Sequence, residues 1–162
     1  MKDIKKWINE RLAADISDSR FDELWNFVVL WNIFEAEVFE RDFRVQRIED
    51  IDWTLDANYT RECLDWLIKR YIDTTTGDTN SSFKRLKLTG DREIFVKEVL
   101  TGTRTNLPDI QKGIILIINR YRNNLFHGEK SFSHFPSYAA IFPFACEYLI
   151  ECIKKQAQTI TI

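Results

Sequence analysis

The chain has 162 residues, of which 44% are hydrophobic and 14% aromatic, and it carries a formal net charge of −2. This length predicts one domain with a substantial core, and the charge excludes the strongly basic character of many nucleic-acid-binding proteins. The longest aliphatic run, residues 114–118, is too short to cross a membrane, and the charged first residues lack a signal-peptide core. Three cysteines without metal-ligand spacing favour a reduced, cytoplasmic protein. No membrane partner is expected.

Hydrophobic residues spaced by three and four predict helices in the first part of the chain. We expect a short amphipathic helix at residues 2–14, a break at 15–19 and a long helix at 20–47. The middle of the long helix is apolar nearly all round, which is typical of burial on several sides. Glu35 lies in this apolar region, and a buried carboxylate is costly unless it is paired. Two interpretations stay open: Glu35 pairs with a cation such as Arg122, or its side chain reaches solvent.

The middle of the chain predicts two shorter helices, at residues 59–72 and 91–100, separated by a polar loop at 73–82. The second of these helices belongs to a longer stretch, residues 83–100, in which Gly90 marks an interruption and which is basic. It contains Lys84, Arg85, Lys87 and Arg92. Such a cluster suits contacts with phosphate groups, but it equally fits a solvated helix face, since no aromatic residues are interleaved with the cations.

The last two helices are expected at residues 108–127 and 137–156. Pro108 suits a first helical turn, and Pro143 predicts a kink or a late start in the final helix. The expected fold is therefore an all-α bundle of five to six helices. The predicted organisation is a single domain over residues 1–162, made of an N-terminal helix and linker (1–19), the bundle (20–157) and a tail (158–162).

Charge is distributed unevenly along the chain. Residues 1–56 contain 8 Lys and Arg against 14 Asp and Glu, whereas residues 84–162 contain 12 against 7. The basic part suits an anionic ligand or an acidic surface that docks against it. An uneven, solvated surface is the plainer explanation.

The most distinctive chemistry lies at the end of the helix predicted at residues 108–127. Residues 122–127 read Arg-Asn-Asn-Leu-Phe-His, and Gly128 follows as a suitable residue just past a helix end. Asn123 and His127 are four residues apart, so they share one helix face. The negative end of the helix dipole favours the protonated form of His127 there.

These residue types are sufficient for cleavage of RNA, because the substrate supplies its own 2′-hydroxyl nucleophile. His127 is the candidate proton-transfer group, and Arg122 is the candidate that stabilises the charged phosphorane. Asn123 would orient His127 or contact the phosphate. With only two histidines in the chain and no metal-ligand cluster, we expect neither a metal nor another cofactor. One imidazole does not readily serve as both base and acid, so a symmetric dimer is expected to bring two to one cleft.

The Arg-Asn-x-x-x-His pattern of residues 122–127 resembles the signature of the HEPN superfamily. Residues 30–36, Leu-Trp-Asn-Ile-Phe-Glu-Ala, resemble the aromatic and acidic pattern in the early long helix of some members. The resemblance implies a small all-α bundle, pairing of two domains with both motifs in one cleft, and metal-independent ribonuclease activity. It also implies a toxin or anti-phage defence role. One toxin branch has a Tyr where this chain has Glu129, so modification by that branch's antitoxin is not expected.

The resemblance also orders the remaining candidates. Arg122, Asn123 and His127 are the expected catalytic residues, and Glu35 is the candidate carboxylate that orients them. The expected substrate-binding residues are Arg120, Asn124 and Lys130. The expected partners are RNA, a second copy of the chain, and an antitoxin or other inhibitory protein. Two alternatives remain: a non-catalytic HEPN module that binds RNA or nucleotides or serves assembly, and a purely structural role in which His127 caps the helix.

Overall fold

The computed structural model describes residues 3–13, 15–126 and 140–160, and the all-α prediction is confirmed there. Within these ranges the only β-type pairing is an isolated bridge between Ile72 and Thr79. One 3-10 helix spans Val45–Asp50. The α-helices are α1 (Ile4–Leu12), α2 (Asp18–Phe39), α3 (Ala57–Tyr71), α4 (Ser81–Lys84), α5 (Asp91–Leu100), α6 (Leu107–Phe126) and α7 (Ile141–Ile160).

Six of these helices correspond to the six predicted ones, and the single turn α4 is additional. The predicted end of α2 at residue 47 is wrong, because Glu40 and Arg41 leave the helix with φ of 53° and 65°. Their backbone N–H groups both bond to the carbonyl of Glu35, which closes the helix without a glycine. Pro143 is the third residue of α7, so the late start is confirmed.

The chain divides into two compact units. The first contains Met1–Asp42 and Asn124–Ile162, and the second contains Phe43–Asn123. Helix α6 contributes residues to both units. The single-domain organisation stays a prediction.

In the first unit, α2 and α7 pack along each other through aromatic side chains. Phe27 of α2 and Phe142 of α7 have ring centroids 5.2 Å apart, and both side chains are buried. The α1–α2 connection is closed by Asn9, whose amide nitrogen donates to the Ile16 carbonyl at 3.0 Å and whose oxygen accepts from the Ile16 N–H at 2.9 Å. The apolar face expected of α1 remains largely exposed, because Trp7 is 57% accessible.

In the second unit, buried residues from α3, α5 and α6 form the core, together with Phe83 and Leu86 from the segment that follows the Ile72–Thr79 bridge. Tyr71 of α3 and Phe83 have ring centroids 6.3 Å apart in an edge-on arrangement. This core fixes the rotation of α6, which carries residues 122–126 of the motif.

Candidate functional site

Helix α6 begins with a well-formed cap. The Asn106 side-chain oxygen accepts from the Asp109 N–H at 2.9 Å, and the Asn106 amide nitrogen donates to the Asp109 carboxylate at 2.8 Å. This reciprocal pair satisfies a backbone donor of the first turn and places a negative charge at the positive end of the helix. Leu107 is the first helical residue and Pro108 the second, so the predicted start is confirmed within one residue.

Two contacts then fix the first half of α6 within the second unit. A Cβ atom on Gly113 would lie 3.1 Å from Val99 Cγ1, so α5 and α6 approach as closely as glycine permits. Gln111, only 3% exposed, accepts from the Leu55 N–H at 3.0 Å and donates to the Trp53 carbonyl at 2.9 Å. Because both the oxygen and the nitrogen of this buried amide are hydrogen-bonded, Gln111 holds residues 53–55 in a fixed position against α6.

A buried pair of tyrosines fixes the second half of α6. The hydroxyl oxygens of Tyr71 and Tyr121 are 2.7 Å apart, and burial raises the pKa of Tyr71 well above its usual value. Burial tends to lower the pKa of the neighbouring Arg70 guanidinium, but the nearby hydroxyls of Tyr121 and Tyr71 outweigh it and raise that pKa. Since Tyr121 immediately precedes Arg122, this contact sets the direction in which the motif residues project.

Arg122 and Asn123 contact each other directly. The Arg122 Nη1 atom donates to the Asn123 side-chain oxygen at 3.1 Å, and both residues are half-buried. The sequence did not predict this hydrogen bond. The expectation that Asn123 orients His127 or contacts the phosphate stays a prediction. His127 and Lys130 lie outside the described residues.

The other candidates have distinct environments. Arg120 Nε donates to the Leu86 carbonyl at 2.7 Å, so this side chain anchors a neighbouring segment of the second unit. Asn124 is only 7% exposed, and neither its oxygen nor its nitrogen has a hydrogen-bond partner in the part of the chain that the structure describes. Glu35 is half-buried in the first unit, and its pairing with Arg122 stays a prediction.

The burial of α6 corrects one step in the sequence reasoning. The hydrophobic spacing of this helix predicts one buried stripe made of Ile110, Ile114, Ile118, Tyr121 and Leu125. The first four are at most 4% exposed, as predicted, whereas Leu125 is half-buried. Ile115 and Leu116 lie outside this stripe, and the sequence predicts that they form an outward apolar surface for pairing with another copy. That expectation is wrong, because they are 0% and 3% exposed within a single chain.

Sequence reasoning missed two features near the motif. One is the buried, unsatisfied amide of Asn124, which the sequence does not signal because Asn is ordinarily an exposed residue. The other is the anchoring of residues 84–87 against α6 through Arg120. The alternation of Phe83 and Leu86 with cations was visible in the sequence, and it was the available signal for an ordered segment.

Two further properties of the described residues concern metal binding and membrane insertion. No group of three or more His, Cys, Asp or Glu side chains in the described ranges is arranged to hold a metal ion. None of the helices described above combines the length and hydrophobicity needed to cross a lipid bilayer.

No protein-family model, curated protein or solved structure matches this chain.

Proposed function

We propose that this protein is a metal-independent endoribonuclease with a HEPN-like fold, acting in a toxin or anti-phage defence role. The observation that carries the proposal is the Arg122–Asn123 contact on the last described turn of α6. This hydrogen bond holds the Arg122 guanidinium in a defined orientation. In the sequence, His127 directly follows Phe126, the last described residue of α6. A guanidinium with fixed paired donors is suited to the oxygens of a phosphate.

The proposed reaction is an in-line transesterification. The 2′-hydroxyl oxygen attacks the adjacent phosphorus and loses its proton to an imidazole, while the bond from phosphorus to the 5′-oxygen breaks. The departing 5′-oxygen takes a proton, so the products are a 2′,3′-cyclic phosphate and a 5′-hydroxyl. His127 is the proposed proton-transfer residue, and Arg122 stabilises the negative charge of the phosphorane. Asn123 holds the guanidinium through its 3.1 Å hydrogen bond.

A second copy of the chain belongs to the proposal for a chemical reason. One proton must leave the 2′-hydroxyl and another must reach the 5′-oxygen, and a two-fold dimer supplies an imidazole for each. The surface through which the copies pair is not formed by Ile115 and Leu116, since both are buried. Glu35 is the proposed orienting carboxylate, and an inhibitory protein partner would restrain the nuclease.

A second candidate function is a non-catalytic module that binds RNA or nucleotides. The buried Asn124 amide, which has no hydrogen-bond partner among the described residues, favours this function. A bound ligand could supply the missing hydrogen bonds without any reaction taking place. Lys130 and Arg120 are the further candidates for contacts with that ligand. The two functions differ in one measurable respect, namely whether bound RNA is cut.

The test is cleavage of RNA by purified protein in the presence of EDTA, with analysis of the product ends. His127→Ala should lower the rate about 10²–10⁴-fold, as expected for loss of a general acid or base. Arg122→Ala should cost about 3–4 kcal/mol of transition-state stabilisation, by analogy with loss of an oxyanion donor. The matched control is His134→Ala, which removes the chain's other histidine and should leave the rate unchanged.

Two results would decide against the nuclease. If RNA stays intact with every partner removed, or if His127→Ala cuts as fast as the parent, catalysis by this motif is excluded. An RNA with a 2′-deoxy substitution at the cut site should bind but resist cleavage. If such an RNA binds and the unmodified RNA is also left whole, the binding-module function is the correct one.

A further inference from the structure

Residues 84–87 carry exposed cations on a stretch of backbone that buried side chains hold in place. Phe83 and Leu86 are 3% and 1% exposed, whereas Lys84, Arg85 and Lys87 between and beside them are exposed. Asn80 caps the short turn α4 by accepting from the N–H groups of Ser82 and Phe83. The positively charged side chains therefore project from a backbone whose position is fixed by two buried anchors.

This segment is tied to the helix that carries the motif. Arg120 Nε donates to the carbonyl of Leu86 at 2.7 Å. Arg120 precedes Asn123 by three residues, so the two lie on neighbouring positions of one face, about 4.5 Å apart along the helix axis. The segment of residues 84–87 is thus tied to α6 at a residue less than one turn before the Arg122–Asn123 pair, all within the second unit.

Two of the three exposed cations, Lys84 and Arg85, have no carboxylate partner in the described part of the chain. The Arg85 guanidinium donates instead to the Ser82 hydroxyl at 2.9 Å. By contrast, Lys97, Arg104 and Lys112 of the same unit all form ion pairs, as Lys97 does with Asp78 at 2.8 Å. The exposed, unpaired Lys84 and Arg85, held on an ordered segment, favour a polyanionic ligand, and the exposed Lys87 adds a third positive charge beside them.

We propose that Lys84, Arg85 and Lys87 bind the phosphates of the RNA strand on one side of the cut site. This inference rests on the proposed function, and it extends the site from the motif along α6 towards the start of that helix. RNA is favoured over an acidic protein because the segment is joined to the same helix as the Arg122–Asn123 pair. The contacts are to the backbone, since no aromatic side chain lies among the three cations to stack on a base.

The test compares the triple variant Lys84→Gln, Arg85→Gln, Lys87→Gln with a control that removes equal charge elsewhere. The control is Lys6→Gln, Arg11→Gln, Lys154→Gln, all exposed residues of the first unit. Binding is measured with RNA that carries a 2′-deoxy sugar at the cut site. The slope of log Kd against log salt should shrink by about 2 in the triple variant, because each single-strand phosphate contact contributes about 0.7. Affinities for unrelated RNA sequences should fall by a common factor.

Substrate length separates a binding role from a structural one. The triple variant should lose kcat/KM on long RNA, yet it should cut a minimal RNA that spans only the cut site as fast as the parent does. Equal losses on both substrates, or equal behaviour of the triple and control variants, would overturn this inference while leaving the nuclease intact. A parent protein that neither binds nor cuts RNA would overturn the proposed function and this extension together. If the triple variant keeps RNA affinity but loses retention on a polyglutamate matrix, an acidic protein is the ligand and the RNA proposal is overturned.

Discussion

At the scale of single residues, the end of α6 combines a hydrogen-bonded Arg122–Asn123 pair with the buried amide of Asn124. Arg122 and Asn123 were chosen as neighbours in a motif, and the structure joins them by a hydrogen bond. Sequence could not predict that bond, since adjacent helical residues point about 100° apart and only the actual rotamers decide whether their tips meet. It also could not reveal that Asn124 is buried, because the polar run from Arg122 to Asn124 does not show which of its members faces the core. The structure buries Asn124 and leaves Arg122 and Asn123 half-buried.

Asn124 provides a test of whether this part of α6 is kept for function. Its amide is buried without a hydrogen-bond partner among the described residues, which costs about 1–3 kcal/mol relative to a satisfied group. Replacing it with an apolar residue of similar size removes that cost. We therefore expect Asn124→Leu to raise the urea midpoint of unfolding while it weakens RNA binding. Asn123→Leu is the control, and it should bring no gain in stability because Asn123 is half-buried and hydrogen-bonded. A destabilised Asn124→Leu that binds RNA normally would contradict a role for Asn124 as a ligand contact.

At the scale of helices, hydrophobic spacing predicted which segments are helical more reliably than where they end. The span of α5 was predicted as found, because Gly90 precedes it and no apolar pattern continues past Leu100. The end of α2 was missed because the apolar spacing carries on beyond Phe39 into the 3-10 helix, where Ile48 is buried. Nothing in the sequence marks Glu40 and Arg41 as left-handed, since both are residue types that avoid that conformation.

The contact between α5 and α6 gives a prediction at the same scale. A methyl group at position 113 would lie 3.1 Å and 3.2 Å from the two Val99 γ-carbons. Gly113→Ala therefore combines a gain in helix propensity of about 1 kcal/mol with a steric cost. In a Val99→Ala background the two shortest contacts are removed and only the β-carbon at 3.3 Å remains, so the steric cost falls and the same substitution should be more favourable there. The measurement is a double-mutant cycle on the free energy of unfolding, with coupling of about 0.5–3 kcal/mol expected for residues in contact. Additive effects would show that the two helices do not meet at this point.

At the scale of the whole molecule, periodicity is a weak guide to which surfaces remain available. It placed Ile115 and Leu116 outside the core stripe, and from this an apolar pairing surface was inferred. The structure buries both, because α6 lies in the second unit with nearly every side chain from position 110 to 119 covered. A helix that is apolar all round indicates burial within one chain as readily as pairing between chains. The expectation of a dimer consequently depends on proton transfer and no longer on hydrophobic surface.

Complementation between inactive variants tests that remaining argument directly. Arg122→Ala has no motif arginine and His127→Ala has no motif histidine, so each should be nearly inactive alone. If two copies contribute to one cleft, a mixed dimer holds one Arg122 and one His127 in the same cleft. Mixing the two variants and allowing subunits to exchange should then give a rate above that of either variant but well below that of the parent, because the mixed cleft regains an arginine and a histidine but still lacks the second imidazole. About half of the dimers should be mixed by chance for a two-fold assembly. Sedimentation at micromolar protein should show the dimer, and dilution below its dissociation constant should lower the specific activity of the parent.

A monomeric enzyme predicts no recovery on mixing, because every chain in the mixture lacks one of the two residues it needs. Recovery therefore distinguishes a shared cleft from two independent sites, which the fold of one chain does not do.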